Sequence, residues 1–306
     1  MKVLIATQKP FSAAAVKGIK GIIEASGHEF AALEKYPAQE DLVKAVSDVE
    51  ALIIRSDKVT AEVIEAAPKL KIVVRAGAGY DNVDLDAATQ KGIVVMNTPG
   101  QNSNAVAELA LAMMIFMSRG QFTPATGTEV MGKTLGVQAF GNVGRLVGKK
   151  AEALGMKVMA IDPFIPSEKI KELGAEPAES VEDLYSKSDF VSIHIPATPQ
   201  TIKSIGYDLI MKMPKGACLV NTARKEVVDE EGLLKALEER PDLKYVTDVA
   251  PENYPLLKEK FGLRVFATPK KMGAQTAEAN MNAGLAAARQ IVDFFATGNT
   301  RFQVNK

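Results

Sequence analysis

Residues 135–162, LGVQAFGNVGRLVGKKAEALGMKVMAID, constrain this chain more than any other stretch, because they read as strand, tight turn, helix, strand and a final carboxylate. The apolar run 135–140 leads into Gly141-Asn142-Val143-Gly144, and Val143, Leu146, Val147, Ala151 and Leu154 then recur at helical spacing. A helix starting at the turn aims its free N–H groups and positive dipole end at whatever anion lies there, and glycines let that anion approach the backbone. The backbone from Phe140 through Gly141, Asn142 and Val143 to Gly144 is therefore the expected cradle for a dinucleotide pyrophosphate. The first place of the usual glycine fingerprint is Ala139, so the motif reads AxGxxG, tolerable if Ala139 keeps φ below zero. Asp162 closes the second strand about 20 residues after Gly141, where a carboxylate accepts from ribose hydroxyls and repels a 2′-phosphate, favouring NAD over NADP. Two glycines and an acid could be mere turn punctuation, but the strand and helix patterning around them favours the dinucleotide.

The rest of the composition narrows the class. Lys plus Arg and Asp plus Glu are both 37, so no charge excess argues for nucleic acid or a membrane surface as partner. A single cysteine, Cys218, excludes an intramolecular disulfide, and no Cys/His cluster has metal-ligand spacing, so no metal is expected. The amino terminus starts as a strand rather than a secretion signal, and the apolar segment 105–117 is shorter than the roughly 20 residues that span a bilayer. A cytoplasmic protein is expected.

Strands and helices alternate throughout. Candidate strands at 3–7, 30–33, 51–55, 72–75 and 93–96 precede the dinucleotide unit, and strands at 191–195, 217–221, 245–248 and 265–268 follow it. Candidate helices cover 13–25, 41–46, 61–66, 102–117, 181–186, 230–239 and 277–295. This pattern predicts an α/β fold of two doubly wound parallel-sheet domains. The unit sits mid-chain, so a Rossmann NAD-binding domain, 99–284, is expected inside a discontinuous, flavodoxin-like substrate domain, 1–98 with 285–306, with the ligand in the cleft and a hinge at 97–100. Open α/β sheets bind ligands at the carboxyl ends of their strands. Four such ends carry notable residues: His194, Arg224, Asp248 and the pair Lys270-Lys271. Each alone would be an ordinary polar strand tip; together they mark a site.

Five segments resemble the D-2-hydroxyacid dehydrogenase family: IIRSDKVTAEVIEAAPKLKIVVRAGAGYDNVDL, VMNTPGQNSNAVAELALAMM, the dinucleotide unit, VNTARKEVVDEEGL and TPKKMGAQTAEA. The resemblance covers essentially the full length. It implies a hydride exchanged between NAD and C2 of a hydroxy acid, and a homodimer. By this resemblance Arg224 pairs with the substrate carboxylate and polarises the keto oxygen, a role suited to a permanently charged, bidentate group. The loop Gly77-Ala78-Gly79 matches the backbone cradle of the carboxylate, Arg55, Ser56 and Arg75 match positions near the substrate, and Asn102 begins a family helix. Thr222 and Ala223 match the nicotinamide side, Asp248 the aspartate that holds the carboxamide, and His194 a position beside the cofactor.

Two departures stand out. The family acid/base is a histidine directly after Thr-Pro, whereas this chain reads TPKKMGAQT, one residue longer. Counting from Pro269 selects Lys270 and counting back from Gly273-Ala274 selects Lys271; the latter is preferred because the Gly-Ala turn fixes side-chain direction. The family glutamate position holds Asn253, with Glu252 one place away. His28 reads as a solvated surface residue. A lysine titrates near 10.4 unperturbed; Arg224 and partial burial would lower that value, whereas Asp248 or Glu252 would raise it. The expectation is an oxidation rate that rises above neutral pH. Oxidation of a phosphorylated hydroxy acid, with Arg55 on the phosphate, accounts for most of these residues. A reductase of hydroxypyruvate or glyoxylate would have no use for Arg55 in that role, and a non-catalytic NAD-sensing protein of the same fold would explain the missing histidine and glutamate. Since the sequence ends at Lys306, just past the last expected helix, no regulatory domain is expected.

Overall fold

A computed structural model of the chain describes residues 1–305. From the amino terminus run β1 (Lys2–Thr7), α1 (Ala13–Ala25), β2 (Glu29–Glu34), α2 (Gln39–Ala45), β3 (Ala51–Ile54), α3 (Ala61–Glu65), β4 (Ile72–Arg75), α4 (Leu85–Gln90) and β5 (Val94–Asn97). Then follow α5 (Ser103–Ser118), β6 (Thr134–Gln138), α6 (Asn142–Ala153), β7 (Lys157–Ile161), α7 (Ser167–Glu172), β8 (Glu176–Pro177), α8 (Val181–Lys187) and β9 (Phe190–Ile193). The chain continues through α9 (Tyr207–Met211), β10 (Cys218–Asn221), α10 (Glu230–Glu239), β11 (Lys244–Thr247), α11 (Tyr254–Phe261), β12 (Val265–Ala267) and α12 (Ala277–Thr297).

The strands form two sheets, ordered β2-β1-β3-β4-β5 and β12-β11-β10-β9-β6-β7-β8, with every strand pair parallel. Parallel strands covered on both faces need continuous apolar runs, and β3 (ALII) and β9 (FVSI) are buried at every position. In the seven-stranded sheet the order reverses between β6 and β9, the crevice where such folds take ligands. Short polar caps start five of the described helices. Ser12, Asp84, Ser180, Asp229 and Thr276 each accept an N–H of the first turn, and Gly298, at φ 74°, ends α12 in the left-handed conformation.

The chain divides into two compact units, Met1–Asn102 with the segment from Gln275, and Ser103–Ala274. These borders differ from the expected 98/99 and 284/285. The Thr98 N–H donates to Gly77 O, which keeps the turn at 97–100 with the first unit. All of α12 belongs there too, because Ala283, before the expected border, packs in one core with Ala287, Ala288 and Ile291 after it and with Ile19 and Ile23 of α1. A Cβ on Gly284 would lie 2.8 Å from Ile19 Cδ1 and 3.0 Å from Phe11 Cε1, so glycine lets these side chains pack closely against α12.

The periodicity overlooks α4, α7, α9, α11 and the two-residue β8. Each of these helices spans only one or two turns, too few for a repeat; α7 buries Ile170 alone. In α11 the Tyr254-Pro255 start resembles a loop, although proline suits a first helical turn. Among the described residues no helix is long and apolar enough to cross a membrane.

Candidate active site

The glycine turn leaves β6 through Ala139, whose φ is 76°. The expectation of a negative φ is therefore corrected: the turn is sharp enough to need a left-handed residue, and alanine accepts it at a strain of about 1–2 kcal/mol. The next links are tight. The Ala139 N–H donates to Ile161 O at 2.8 Å and the Phe140 N–H to Asp162 Oδ2 at 2.8 Å. A Cβ on Gly144 would lie 2.2 Å from Ala139 O, so glycine there permits the turn to close against α6. Gly141 serves differently, since a Cβ on it would meet nothing within 4 Å. It caps α6 without any side-chain hydrogen bond, leaving first-turn N–H groups for a ligand.

Asp162 also accepts the Phe164 N–H at 2.9 Å, so its carboxylate holds the turn while retaining lone pairs for hydroxyl donors. His194 follows β9, and its Nε2 is 2.9 Å from Ser192 Oγ. Burial pushes the imidazole down to about 4, so it is neutral at physiological pH and acts as a hydrogen-bonding group. Thr222, just past β10, buries its Oγ1 with no partner. An uncapped helix start, an open glycine, a carboxylate on the second strand and an orphaned hydroxyl all fit a dinucleotide such as NAD.

Two cationic side chains converge beyond these strand ends. Ala223 O accepts Arg224 Nη1 at 2.9 Å and Lys271 Nζ at 3.3 Å. Both candidate lysines are exposed, but Lys271 is the one whose Nζ shares Ala223 O with Arg224; the Lys270 carbonyl accepts Thr268 Oγ1 at 2.9 Å. The loop carrying both lysines is gripped by Asp248, which is 1% exposed. The Asp248 carboxylate accepts Thr268 Oγ1 at 2.8 Å, the Met272 N–H at 2.8 Å and the Gly273 N–H at 2.7 Å. It is occupied on three sides by the loop, with about one lone-pair direction left for a carboxamide.

Glu252 takes another course. Its side chain is 82% exposed and pairs with Lys225 at 3.0 Å, while its N–H donates to Glu230 Oε1 at 2.9 Å. Asn253 is likewise bound to Glu230 through both its N–H and its Nδ2.

The first unit carries the remaining residues. Arg55 donates from Nη1 to Lys9 O at 3.0 Å and Pro10 O at 3.1 Å, donates from Nη2 to Asn280 Oδ1, and lies over the Phe11 ring. Burial holds its guanidinium somewhat below the usual arginine range. Arg75 donates from Nε to Arg55 O at 3.0 Å, and its Nη1 fills the space where a Cβ on Gly77 would sit. Gly77, at φ 148°, leads to exposed Ala78, whose carbonyl accepts Asn97 Nδ2 at 2.6 Å, and to half-buried Gly79. Ser56 is exposed and Asn102 is half-buried immediately before α5. His28 is half-buried and sets its ring edge-on to Phe295 at 5.6 Å, so packing replaces the expected solvation.

One residue escapes the sequence reading. Asn221 ends β10 fully buried, accepting the Ala223 N–H on Oδ1 at 2.9 Å and donating from Nδ2 to Arg224 O at 2.9 Å. The available signal was an asparagine at a strand end two residues before a bend, the position of an Asx turn.

Residues 105–270 match the family model described as D-isomer specific 2-hydroxyacid dehydrogenase, NAD binding domain. A D-3-phosphoglycerate dehydrogenase of Methanocaldococcus jannaschii is 40% identical over 83% of this chain and 51% of its own length. A hydroxypyruvate reductase of Thermotoga maritima is 38% identical over 83% of this chain and 87% of its own. The crystal structure of NAD+-bound 3-phosphoglycerate dehydrogenase from Entamoeba histolytica is 49% identical, with a TM-score of 0.88, and is matched over 100% of this chain and 99% of that one. The chain spans about half the length of the first curated phosphoglycerate dehydrogenases it matches. With its two parallel sheets, its glycine turn and its paired Arg224 and Lys271, the chain belongs to the D-isomer-specific 2-hydroxyacid dehydrogenase family.

Proposed function

We propose that the chain oxidises 3-phospho-D-glycerate to 3-phosphohydroxypyruvate, the first step of serine biosynthesis, as a cytoplasmic homodimer. The observation that carries this reading is the convergence of Arg224 and Lys271 on the carbonyl of Ala223, in the same sheet as the dinucleotide turn. The names of the relatives support the phosphorylated substrate. Bound NAD supplies the hydride acceptor. Arg224 holds the substrate carboxylate bidentately and draws electron density toward the C2 oxygen as it becomes a ketone. Lys271, as the neutral amine, takes the proton from the C2 hydroxyl, and as the ammonium it returns that proton in the reverse direction. Asp248 keeps the lysine-bearing loop in place and Gly77-Ala78-Gly79 presents backbone to the substrate carboxylate.

A second reading, reduction of hydroxypyruvate, draws on Arg55. Its donors reach Lys9, Pro10 and Asn280, which leaves less of the guanidinium for a phosphate. Following NADH absorbance separates the readings. NADH should appear when 3-phosphoglycerate is added with NAD; oxidation of NADH by hydroxypyruvate with no response to the phosphorylated acid would select the reductase, and no response to either would select a non-catalytic NAD-binding role. A dimer is expected in analytical ultracentrifugation, and a monomer would overturn that part.

A further inference from the structure

We infer that Asn221 is a positioning residue for the reaction, setting through one buried amide the direction of the carbonyl that brings Arg224 and Lys271 together. The inference rests on the functional reading above. β10 makes its last ladder pairings at Asn221, with Thr247 on one side and Ile193 on the other. Beyond it, among the described residues, no strand pairs with the Thr222-Ala223-Arg224 turn. A carbonyl in such a turn swings with the dihedrals on either side. The Asn221 side chain removes that freedom, because its Oδ1 holds the Ala223 N–H and its Nδ2 holds Arg224 O, the groups flanking the 223–224 peptide plane. The amide orientation is unambiguous, since an N–H demands the oxygen and a carbonyl demands the NH2.

The anchor is itself held. Asn221 O accepts the Asp248 N–H at 3.0 Å and Thr247 Oγ1 at 2.9 Å, and Thr247 Oγ1 in turn accepts the Val249 N–H at 2.9 Å. Asn221 is 0% exposed, so water does not compete for its amide. The oxygen thus aimed accepts both cations, which keeps them within about 6 Å of each other, close enough for each charge to act on the other. Asn221 and Lys271 are linked through Ala223 O, so the proposal is one of coupling and not of contact.

The experiment is a double-mutant cycle on the full chain. Asn221→Ala should lower kcat for 3-phosphoglycerate oxidation about 100-fold, the scale of an ångström-sized misplacement. NADH affinity, read by fluorescence, should fall by far less than kcat, because the phosphate turn at 139–144 is untouched and only the Thr222-Ala223 side of the cofactor is loosened. Lys271→Ala should reduce activity strongly in the wild-type background and by less than about threefold in Asn221→Ala, the non-additivity of groups acting as a unit. Additive effects would overturn the proposal. Asn221→Ser, which keeps an acceptor for the Ala223 N–H, should recover part of kcat, and equal loss in Ser and Ala would count against the amide's role. Should Asn221→Ala fail to fold, the cycle is run in Asn221→Ser. Oxalate titrated into the NADH complex separates the proposal from the activity assignment. If the wild type turns over neither acid yet binds oxalate, a tenfold weaker affinity in the Asn221 variant upholds the positioning role and unchanged affinity overturns it. Absence of oxalate binding to the inactive wild type overturns both.

Discussion

Arg55 and Arg224 follow the carboxyl ends of interior strands, β3 and β10, and both were expected at the substrate from the sequence, yet their guanidinium groups are engaged differently. Arg55 is half-buried and bridges the loop after β1 to α12, through Lys9, Pro10 and Asn280, with Phe11 against its face. Arg224 is exposed, and its hydrogen bond goes to the carbonyl of its own neighbour, Ala223. A guanidinium has five donors; those of Arg55 already tie segments of its own unit together, whereas Arg224 is exposed, which supports the proposal that Arg224 is the one that holds the substrate. Chemical type and position in the sheet are the same. The surroundings decide the role.

The sharpest way to break this contrast is to delete each arginine. Arg224→Ala should lower kcat/KM about 10³-fold, the scale of losing one charged transition-state donor set, with the melting temperature unchanged. Arg55→Ala should instead lower stability by about 2 kcal/mol in chemical denaturation, the scale of lost hydrogen bonds from a charged group. A selective rise in KM for 3-phosphoglycerate in a fully stable Arg55→Ala variant would reverse the assignment.

The two adjacent lysines repeat the comparison. Lys271→Ala should reduce turnover about 10²–10³-fold while Lys270→Ala stays within about twofold, and the opposite result would reassign the acid/base. With a lysine base, the rate of hydroxy-acid oxidation should keep rising above neutral pH, since the neutral amine is the active form and unperturbed lysine titrates near 10.4. A plateau near pH 7 would point to a histidine-like group.

Smaller effects belong to the cofactor side. His194 is held near 4 when folded and titrates near 6.5 when unfolded, so between those values the unfolded chain binds the additional proton. Its contribution to stability is complete above about pH 6.5 and is lost as the pH falls toward 4. Melting temperatures across that window should fall less steeply in His194→Asn, and parallel slopes would disprove the assignment. Ala139→Gly should raise stability by about 1 kcal/mol by relieving a left-handed alanine. A fall in melting temperature would show that the turn does not carry that strain.

Much of the fold was legible because the signals were long and local. The run 135–162 specified β6, α6 and β7 within a residue or two, and α1 and α10 lie at their expected bounds, since each combines a cap with several turns of apolar repeat. The short helices α7 and α9 were not legible, because one or two turns hold too few apolar positions to show a period. In the site, residue types at strand ends pointed to Arg224, Asp248 and the lysine pair, but not to who bonds whom. Nothing in DVAPENYPL indicated that Glu252 would turn to Lys225, and the asparagine at the end of β10 hinted at an Asx turn without showing that Asn221 also holds Arg224 O.

The sequence by itself determined a dinucleotide turn, two parallel-sheet units and a set of charged residues at strand ends, because these rest on spacing along the chain. Only the tertiary structure decided which lysine shares a carbonyl with Arg224, which arginine is tied up in backbone contacts, and that Ala139 takes a left-handed turn. Those outcomes depend on hydrogen bonds between segments far apart in the chain, where direction and competition for donors, rather than residue type, select the partner.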